Sequence, residues 1–456
     1  MEIAIASMRQ GDMAKAEGIF QNLFSTFGQR PELFQALGTI QAQKGWSGFA
    51  AFLLQTGIDK GYDRFEAYHN LGNALRADNK TDEAAAAFRK AYQRAENDEH
   101  RADALVAEAT LYVNMGEPQK AVDLCDRALA LEPDHRFALW NRGIAYLELG
   151  RWVEGFDAYD KAGFRSDQGK AADRKLRDYG GKPEWFPSKR TRKASVVVYG
   201  EQGIGDELMF ASMISDLQAR AGRVIIDCDK RLEQLFKRSF PDCTIYTTSA
   251  EEPTWIKDDP PDYRIAMGSL GRWFRAKDSD FPKVPYIKAD PEKVAYWKGE
   301  LDKLPGKKVG ISWVGGSKYT RTDLRSIPLP LWEPIARVPG VTLVSLQYHK
   351  WAAEEAAMMG AAWGVPIHHW QDAIDSYDET AGLVEALDLV ITINTSIVHL
   401  CGSMGVKTWC LTPFAAAWRY GLKGPNPFYG SVEMYRQAKD QKWSEVIARV
   451  ASDLNH

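Results

Sequence analysis

Large apolar residues recur at helical spacing through the first third of the chain, and the pattern then returns on itself. Tyr68, Leu71, Gly72, Leu75, Ala84, Phe88 and Ala91 set one register. Stepping back 34 residues meets Phe34, Leu37, Gly38, Gln41, Ala50, Leu54 and Gly57. Stepping forward 37 meets Leu105, Glu108, Ala109, Tyr112, Ala121, Cys125 and Ala128, with Pro133 closing the unit. Another 34 meets Leu139, Arg142, Gly143, Tyr146, Gly155, Tyr159 and Ala162. Ala16, Phe20 and Leu23 fit the second half of one more unit. Positions i, i+3, i+4 and i+7 build an apolar stripe on each helix. Small residues at fixed places let two helices approach closely. The pattern predicts four nearly complete helix pairs and a partial fifth, with the three extra residues near 97–100 lengthening one turn.

After Ala162 the period changes. Residues 164–193 are polar and basic, carry Gly180-Gly181, Pro183 and Pro187, and read as a connection. Short β-branched runs then alternate with amphipathic stretches. Strands are expected at 194–199, 223–227, 244–247 and 263–267, with helices at 206–219 and 230–239. A second series starts near Pro291. Its strands are expected at 308–314, 341–346, 389–393 and 408–411, and its helices at 331–336, 349–359, 380–385, 396–404 and 443–454. Such alternation implies parallel sheets covered on both faces. Ligands then lie beyond the carboxyl ends of the strands. The expected division is a helical solenoid over 1–165, a linker over 166–193, and Rossmann-like α/β domains over 194–290 and 291–456.

The repeat pattern resembles the tetratricopeptide repeat over about residues 1–165. The resemblance implies stacked helix pairs whose concave face takes a polypeptide partner. The competing reading is a stabilising or dimerising module without a ligand.

Composition narrows the picture. The chain has 456 residues, 45% of them hydrophobic and 26% charged, which suits several cores and excludes disorder as the main state. A net charge of −3 makes the chain no general magnet for nucleic acid or anionic membranes. The basic run 189–193 is read as a solvated connection. Five cysteines, an odd number with no CxxC among them, argue against a disulfide framework or a zinc site. No stretch reaches the ~18 apolar residues of a membrane span, and the N-terminus lacks a secretory pattern. A cytoplasmic protein is the expectation.

Three strand-to-helix loops carry candidate chemistry. In Gly200-Glu201-Gln202-Gly203-Ile204-Gly205-Asp206-Glu207, Gly203 and Gly205 permit close backbone approach, and Asp206 is placed to act as a general base or as a helix-terminal acid. Glu201 and Glu207 are weaker candidates. The loop 315–326 combines two glycines with Lys318, Arg321 and Arg325, a cationic turn suited to a diphosphate or simply an exposed basic loop. In 393–400, Thr395 or Ser396 can cap a helix whose N–H groups form a second phosphate cradle. His399, one turn further on, reads either as a packed core histidine or as a member of that cradle. Asp227 and Asp229 have the spacing of a metal-binding acid pair, but they close a strand, and a structural role is favoured.

Taken in order, EQGIGDELMFASM, GISWVGGSKYTRTDLRSIPL, VSLQ, INTSIVHLCGSMG and TPFAAAWRYG resemble the GT-B glycosyltransferases fused to tetratricopeptide repeats. These are relatives of the heptosyltransferases and, more distantly, of the O-GlcNAc transferases. The resemblance covers about residues 194–456. It implies inverting, metal-independent transfer from a nucleotide sugar, without a cofactor. It implies Asp206 as the base and a donor site at Gly203, Gly205, Lys318, Arg321, Arg325, Asn394, Thr395, Ser396 and His399. Asn394 stands where the family commonly has an acid. Trp418 and Arg419 match a WR segment to which the sequence assigns no role. The expected acceptor is a protein Ser or Thr, flagellin-like or on a bacterial surface, held by the repeats. The alternatives are a glycan, a lipid-linked sugar or a modified DNA base as acceptor, and a catalytically silent scaffold.

Overall fold

The structure is a computed structural model. It describes residue 7 and residues 12–28, 30–162, 176–248, 253–315 and 322–455. The chain divides into two compact units, Met1–Tyr146 and Leu147–His456.

The first unit is all helical. Helix α1 (Met13–Phe27) precedes the pairs α2 (Pro31–Gln43) with α3 (Ser47–Asp59), α4 (Phe65–Ala77) with α5 (Thr81–Arg94), and α6 (Asp98–Asn114) with α7 (Pro118–Leu131). Helix α8 (Arg136–Glu148) follows. The periodic residues are those that pack: Leu71, Leu75, Ala84 and Phe88 lie in one cluster, and Leu105, Ala109, Ala121, Cys125 and Ala128 in the next. The extra residues near 97–100 lengthen a helix rather than a turn. Asn97 caps α6 by accepting from the His100 N–H at 2.8 Å, so helix starts at once and runs for 17 residues against 13 in α4.

Gly72 shows why the small position is small. A Cβ there would fall 2.5 Å from Cε1 of the fully buried Phe88. Gly72→Ala should therefore force the ring aside and lower stability by about 1–3 kcal/mol. A urea midpoint for the helical transition unchanged from wild type would refute this.

The second unit opens with helix α9 (Trp152–Ala162) and then becomes α/β. Among the described residues its first sheet has strands β1 (Ser195–Tyr199), β2 (Arg223–Asp227), β3 (Thr244–Tyr246) and β4 (Tyr263–Ala266), all parallel, in the order β3-β2-β1-β4. Val197 pairs with Ile225 on one side and Arg264 on the other. The second sheet has β5 (Lys307–Ser312), β6 (Val341–Ser345), β7 (Ile367–His368), β8 (Leu389–Ile393), β9 (Thr408–Thr412) and β10 (Val432–Arg436), also parallel, in the order β10-β9-β8-β5-β6-β7. Every residue of β8 and β9 is buried, as expected of strands covered on both faces. Each such Val, Ile or Leu contributes about 1.5–3 kcal/mol by leaving water.

The helices that position the site are α10 (Ile204–Phe210), after β1, and α11 (Ser396–Met404), after β8. The single helix expected over 206–219 is instead broken. Helix α10 passes into a 3-10 turn at Ala211–Met213 and a second short helix at Ile214–Gln218. Strands β7 and β10 were not anticipated. Two residues are too few for a period to show, and β10 alternates only loosely between buried and exposed positions. The helix Pro291–Leu301 has a legible start, with Asp290 accepting from the Glu292 N–H at 2.9 Å and proline in the first turn. Among the described residues, no helix is long and apolar enough to cross a membrane. Cys125, Cys228, Cys243, Cys401 and Cys410 are all free thiols.

Candidate functional site

Three of the candidate segments meet within the second unit, at the carboxyl ends of its strands. Strand β1 delivers the chain to Gly203, which sits at the N-cap of α10 in extended backbone. The Asp206 N–H bonds back to the Gly203 carbonyl at 2.9 Å, placing Asp206 in the first turn rather than at the cap. Its carboxylate is one-fifth exposed, and Oδ1 accepts from Nε of Arg419. Arg419 belongs to the 3-10 turn Trp418–Tyr420 that follows β9. The pair therefore joins the end of the first sheet to the end of the second. Burial works against the charge of Arg419, but the field and hydrogen bond of Asp206 outweigh it and raise its pKa.

Gly205 brings α10 onto α11. A Cβ at this position would come within 2.9 Å of His399 Cδ2 and 3.4 Å of Ser396 Cα. Thr395 caps α11, its hydroxyl accepting from the Ile397 N–H at 3.3 Å. The Ser396 carbonyl accepts from the Tyr377 hydroxyl at 3.3 Å. The N-terminus of α11 thus lies against Gly205, the residue before Asp206.

His399 and Asn394 are turned inward. His399 is buried, with Nδ1 3.0 Å from the Tyr429 hydroxyl and Nε2 3.2 Å from the Tyr420 hydroxyl. Burial pushes its pKa down to about 4, so the ring is neutral at neutral pH and each nitrogen has a tyrosine partner. The Asn394 side-chain oxygen accepts from Thr412 Oγ1 at 3.0 Å and Cys410 Sγ at 3.1 Å. An acid at 394 would meet β9 rather than open space. The main chain of Asn394 does face the site: its carbonyl accepts from Arg325 Nη1 at 3.0 Å.

Arg325 ends the short helix Thr322–Arg325. Burial holds its pKa below the ordinary arginine value, with the charge of Arg419 pushing the same way. Both guanidinium groups therefore share one neighbourhood. Lys318 and Arg321 lie outside the described residues.

Two supports were not foreseen. Gln347, the last residue of VSLQ, holds the departure of the loop after β5. Its Oε1 accepts from the N–H groups of Trp313 at 2.9 Å and Val314 at 3.0 Å, and its Nε2 donates to the Val314 carbonyl at 2.9 Å. Trp418 anchors the turn that carries Arg419. Its ring centroid lies 6.0 Å from Phe156, 6.1 Å from Tyr159, 6.3 Å from Phe210 and 5.9 Å from Phe428. A polar amide closing a strand and a WR pair in an aromatic-rich stretch were the available signals. Neither has a period or spacing that names a role.

The other acids of the first loop hold structure. Glu207 is buried beneath Gly200 and accepts from the Asp229 N–H at 2.9 Å, and Glu201 accepts from the Gly268 N–H at 3.0 Å. Asp227 is buried, receiving the Tyr179 hydroxyl at 2.6 Å and the Thr248 N–H at 2.9 Å. Asp229 instead pairs with Arg231 at 2.8 Å. The two acids with metal-pair spacing thus serve different partners.

The assembled chemistry is a carboxylate at a helix N-terminus, facing a second helix N-terminus, with two arginines between sheet ends. Such a place suits an anionic ligand and a proton transfer beside it.

Comparison with known proteins agrees on the first part of the chain. Tetratricopeptide repeat family models match at residues 65–98 and 106–169, so the chain carries these repeats. Repeats of this kind point to a protein partner. Protein FlbA of Caulobacter vibrioides is 28% identical over 503 aligned residues, covering 99% of this chain and 83% of FlbA. Among solved structures, that of MamA is 23% identical, spanning 36% of this chain and 93% of MamA at a TM-score of 0.32. That of YrrB, a TPR protein with an unusual peptide-binding site, is 17% identical, spanning 36% of this chain and 82% of YrrB at a TM-score of 0.30.

Proposed function

We propose that the α/β unit is a GT-B-type glycosyltransferase that moves a sugar, with inversion, from a nucleotide sugar to a hydroxyl of a protein held by the repeats. The observation that carries this reading is the meeting of Asp206 with Arg419 and the N-terminus of α11 at the carboxyl ends of two parallel sheets. In the reaction the acceptor oxygen forms a bond to the anomeric carbon while the bond to the diphosphate oxygen breaks. The acceptor proton passes to Asp206, and the electron pair leaves with the diphosphate. Arg325, Arg419 and the N–H groups of α11 stabilise the charge that develops there. The resemblance adds Lys318 and Arg321 to the groups that would bind the donor. This chemistry asks for no cofactor, and the groups named here neutralise the leaving charge without a metal ion.

A protein acceptor is favoured over a glycan, a lipid-linked sugar or a modified DNA base because the repeats suit a polypeptide. The test is to incubate the full chain with UDP-, GDP-, ADP- and CDP-linked sugars and candidate surface and flagellar proteins, then measure intact masses. A sugar-sized gain on a protein, lost on Asp206→Asn, is expected. Transfer only to small glycans would remove the protein acceptor. No turnover of any donor would favour the scaffold reading, to which the inward-turned Asn394 and His399 lend some support.

A further inference from the structure

We infer that Arg419 is shared between two anions. It holds Asp206 when the donor site is empty and takes the diphosphate of the donor when the site fills. This rests on the glycosyltransferase reading and assigns a residue to its donor site.

Three observations lead there. First, the Arg419 guanidinium meets Asp206 through Nε, and among the described residues this is its only hydrogen bond. The two Nη groups carry most of the fork's donors, and one-fifth of the side chain is exposed. Second, the group is fixed in place from below. Its Cζ lies 5.1 Å from the centre of the Trp418 ring, which is buried among four aromatic side chains. A flat, stacked guanidinium can turn its edge from one acceptor to another without moving its base. Third, Arg419 stands beside a second cation, Arg325, whose Nη1 is bonded to the Asn394 carbonyl just ahead of the α11 N-terminus. Two neighbouring like charges, Arg419 paired with the Asp206 carboxylate and Arg325 bonded to a neutral carbonyl, leave positive charge in excess. A diphosphate, with more charge than a carboxylate and two sets of oxygens, neutralises more of it.

The consequence is an order of events. Donor binding draws Arg419 from Asp206 and leaves the carboxylate for the acceptor hydroxyl. Before donor binding, the ion pair engages Asp206 Oδ1, and its release returns that oxygen to the acceptor hydroxyl. Arg419 is thus both a donor-binding group and a positioning residue for the base.

The signature is a pair of opposite effects on binding. Calorimetry on the full chain would use UDP, GDP, ADP and CDP, with inorganic pyrophosphate as a further probe. Wild type should bind at least one nucleoside diphosphate. Asp206→Asn removes the competing charge, though its amide oxygen can still accept from Arg419, and should tighten that binding by about twofold to fivefold, the worth of one partly exposed ion pair. Arg419→Gln should weaken it by about tenfold or more. Arg419→Lys, which keeps the charge, should fall between. A melting curve on each variant checks that it folds. Weaker binding by both Asp206→Asn and Arg419→Gln would mean the pair is merely structural and would overturn the inference. Unchanged binding by folded Arg419→Gln would overturn it as well. If wild type binds none of the four diphosphates, the nucleotide-sugar reading itself falls, and the role of Arg419 falls with it.

Discussion

Asp206→Asn should cut the rate of sugar transfer by about 10²–10⁴, the range over which a positioned general base acts. The substitution keeps the shape of the side chain and one oxygen, so Arg419 retains a partner and the first turn of α10 is preserved. What is lost is the capacity to accept a proton. The effect should fall on kcat, with donor affinity held or improved, because the base acts on the acceptor rather than on the diphosphate. That split separates a base from a structural acid, whose loss would disturb donor affinity and folding together. Single-turnover transfer to the best acceptor would be measured for wild type and variant at saturating donor. A variant within tenfold of wild type would show that another group takes the proton. Glu207 is the nearest acid in sequence, but it lies buried beneath Gly200 and is bonded to the Asp229 N–H, so it cannot reach an incoming hydroxyl.

Asp206 also shows what the sequence can disclose. A carboxylate three residues beyond the N-cap glycine of a strand-to-helix turn is a local feature, fixed by neighbours along the chain. So are the helix start at Thr395 and the small residue at Gly72. The repeats were legible for the same reason: a period carried by Leu71, Gly72 and Phe88 returns in register. Most strands were legible because a buried parallel strand is a short unbroken apolar run. What escaped depends on partners distant in the chain. Arg419 lies 213 residues from Asp206, and nothing local to either predicts the other. Gln347 reaches back 33 residues to Val314. His399 was left between two roles by its sequence. Only the arrival of Tyr420 and Tyr429 at its two nitrogens gives it a packed place.

The burial of Glu207 should be measurable as a pH-dependent stability. Its carboxyl is buried, and burial, with the charges of Asp229 and Glu201 adding, pushes its pKa up to about 8 despite the N–H it receives from Asp229 and the nearby Arg177. In the unfolded chain the ordinary carboxylate value of 4.5 applies. Between these values the folded state holds a proton that the unfolded state has released. The stability this contributes is therefore complete below about pH 4.5 and is lost as pH rises through 8. The slope is about 1.4 kcal/mol per pH unit within the window, and the sum is on the order of a few kcal/mol. Glu207→Gln keeps a neutral acceptor for the Asp229 N–H and removes the ionisation. The variant should therefore become progressively more stable than wild type as pH rises from 5 to 8, with the difference levelling above about 8. Hydrogen-exchange protection of the amides of β1, measured across this range, reads the opening of the α/β unit. Two profiles that run parallel from pH 5 to 9 would show that Glu207 is ionised in the folded protein. The result bears on the site because Glu207 follows Asp206 directly. Water drawn in to solvate an ionised Glu207 would loosen the turn that aims the base, so transfer activity should decline on the alkaline side in wild type and hold longer in Glu207→Gln.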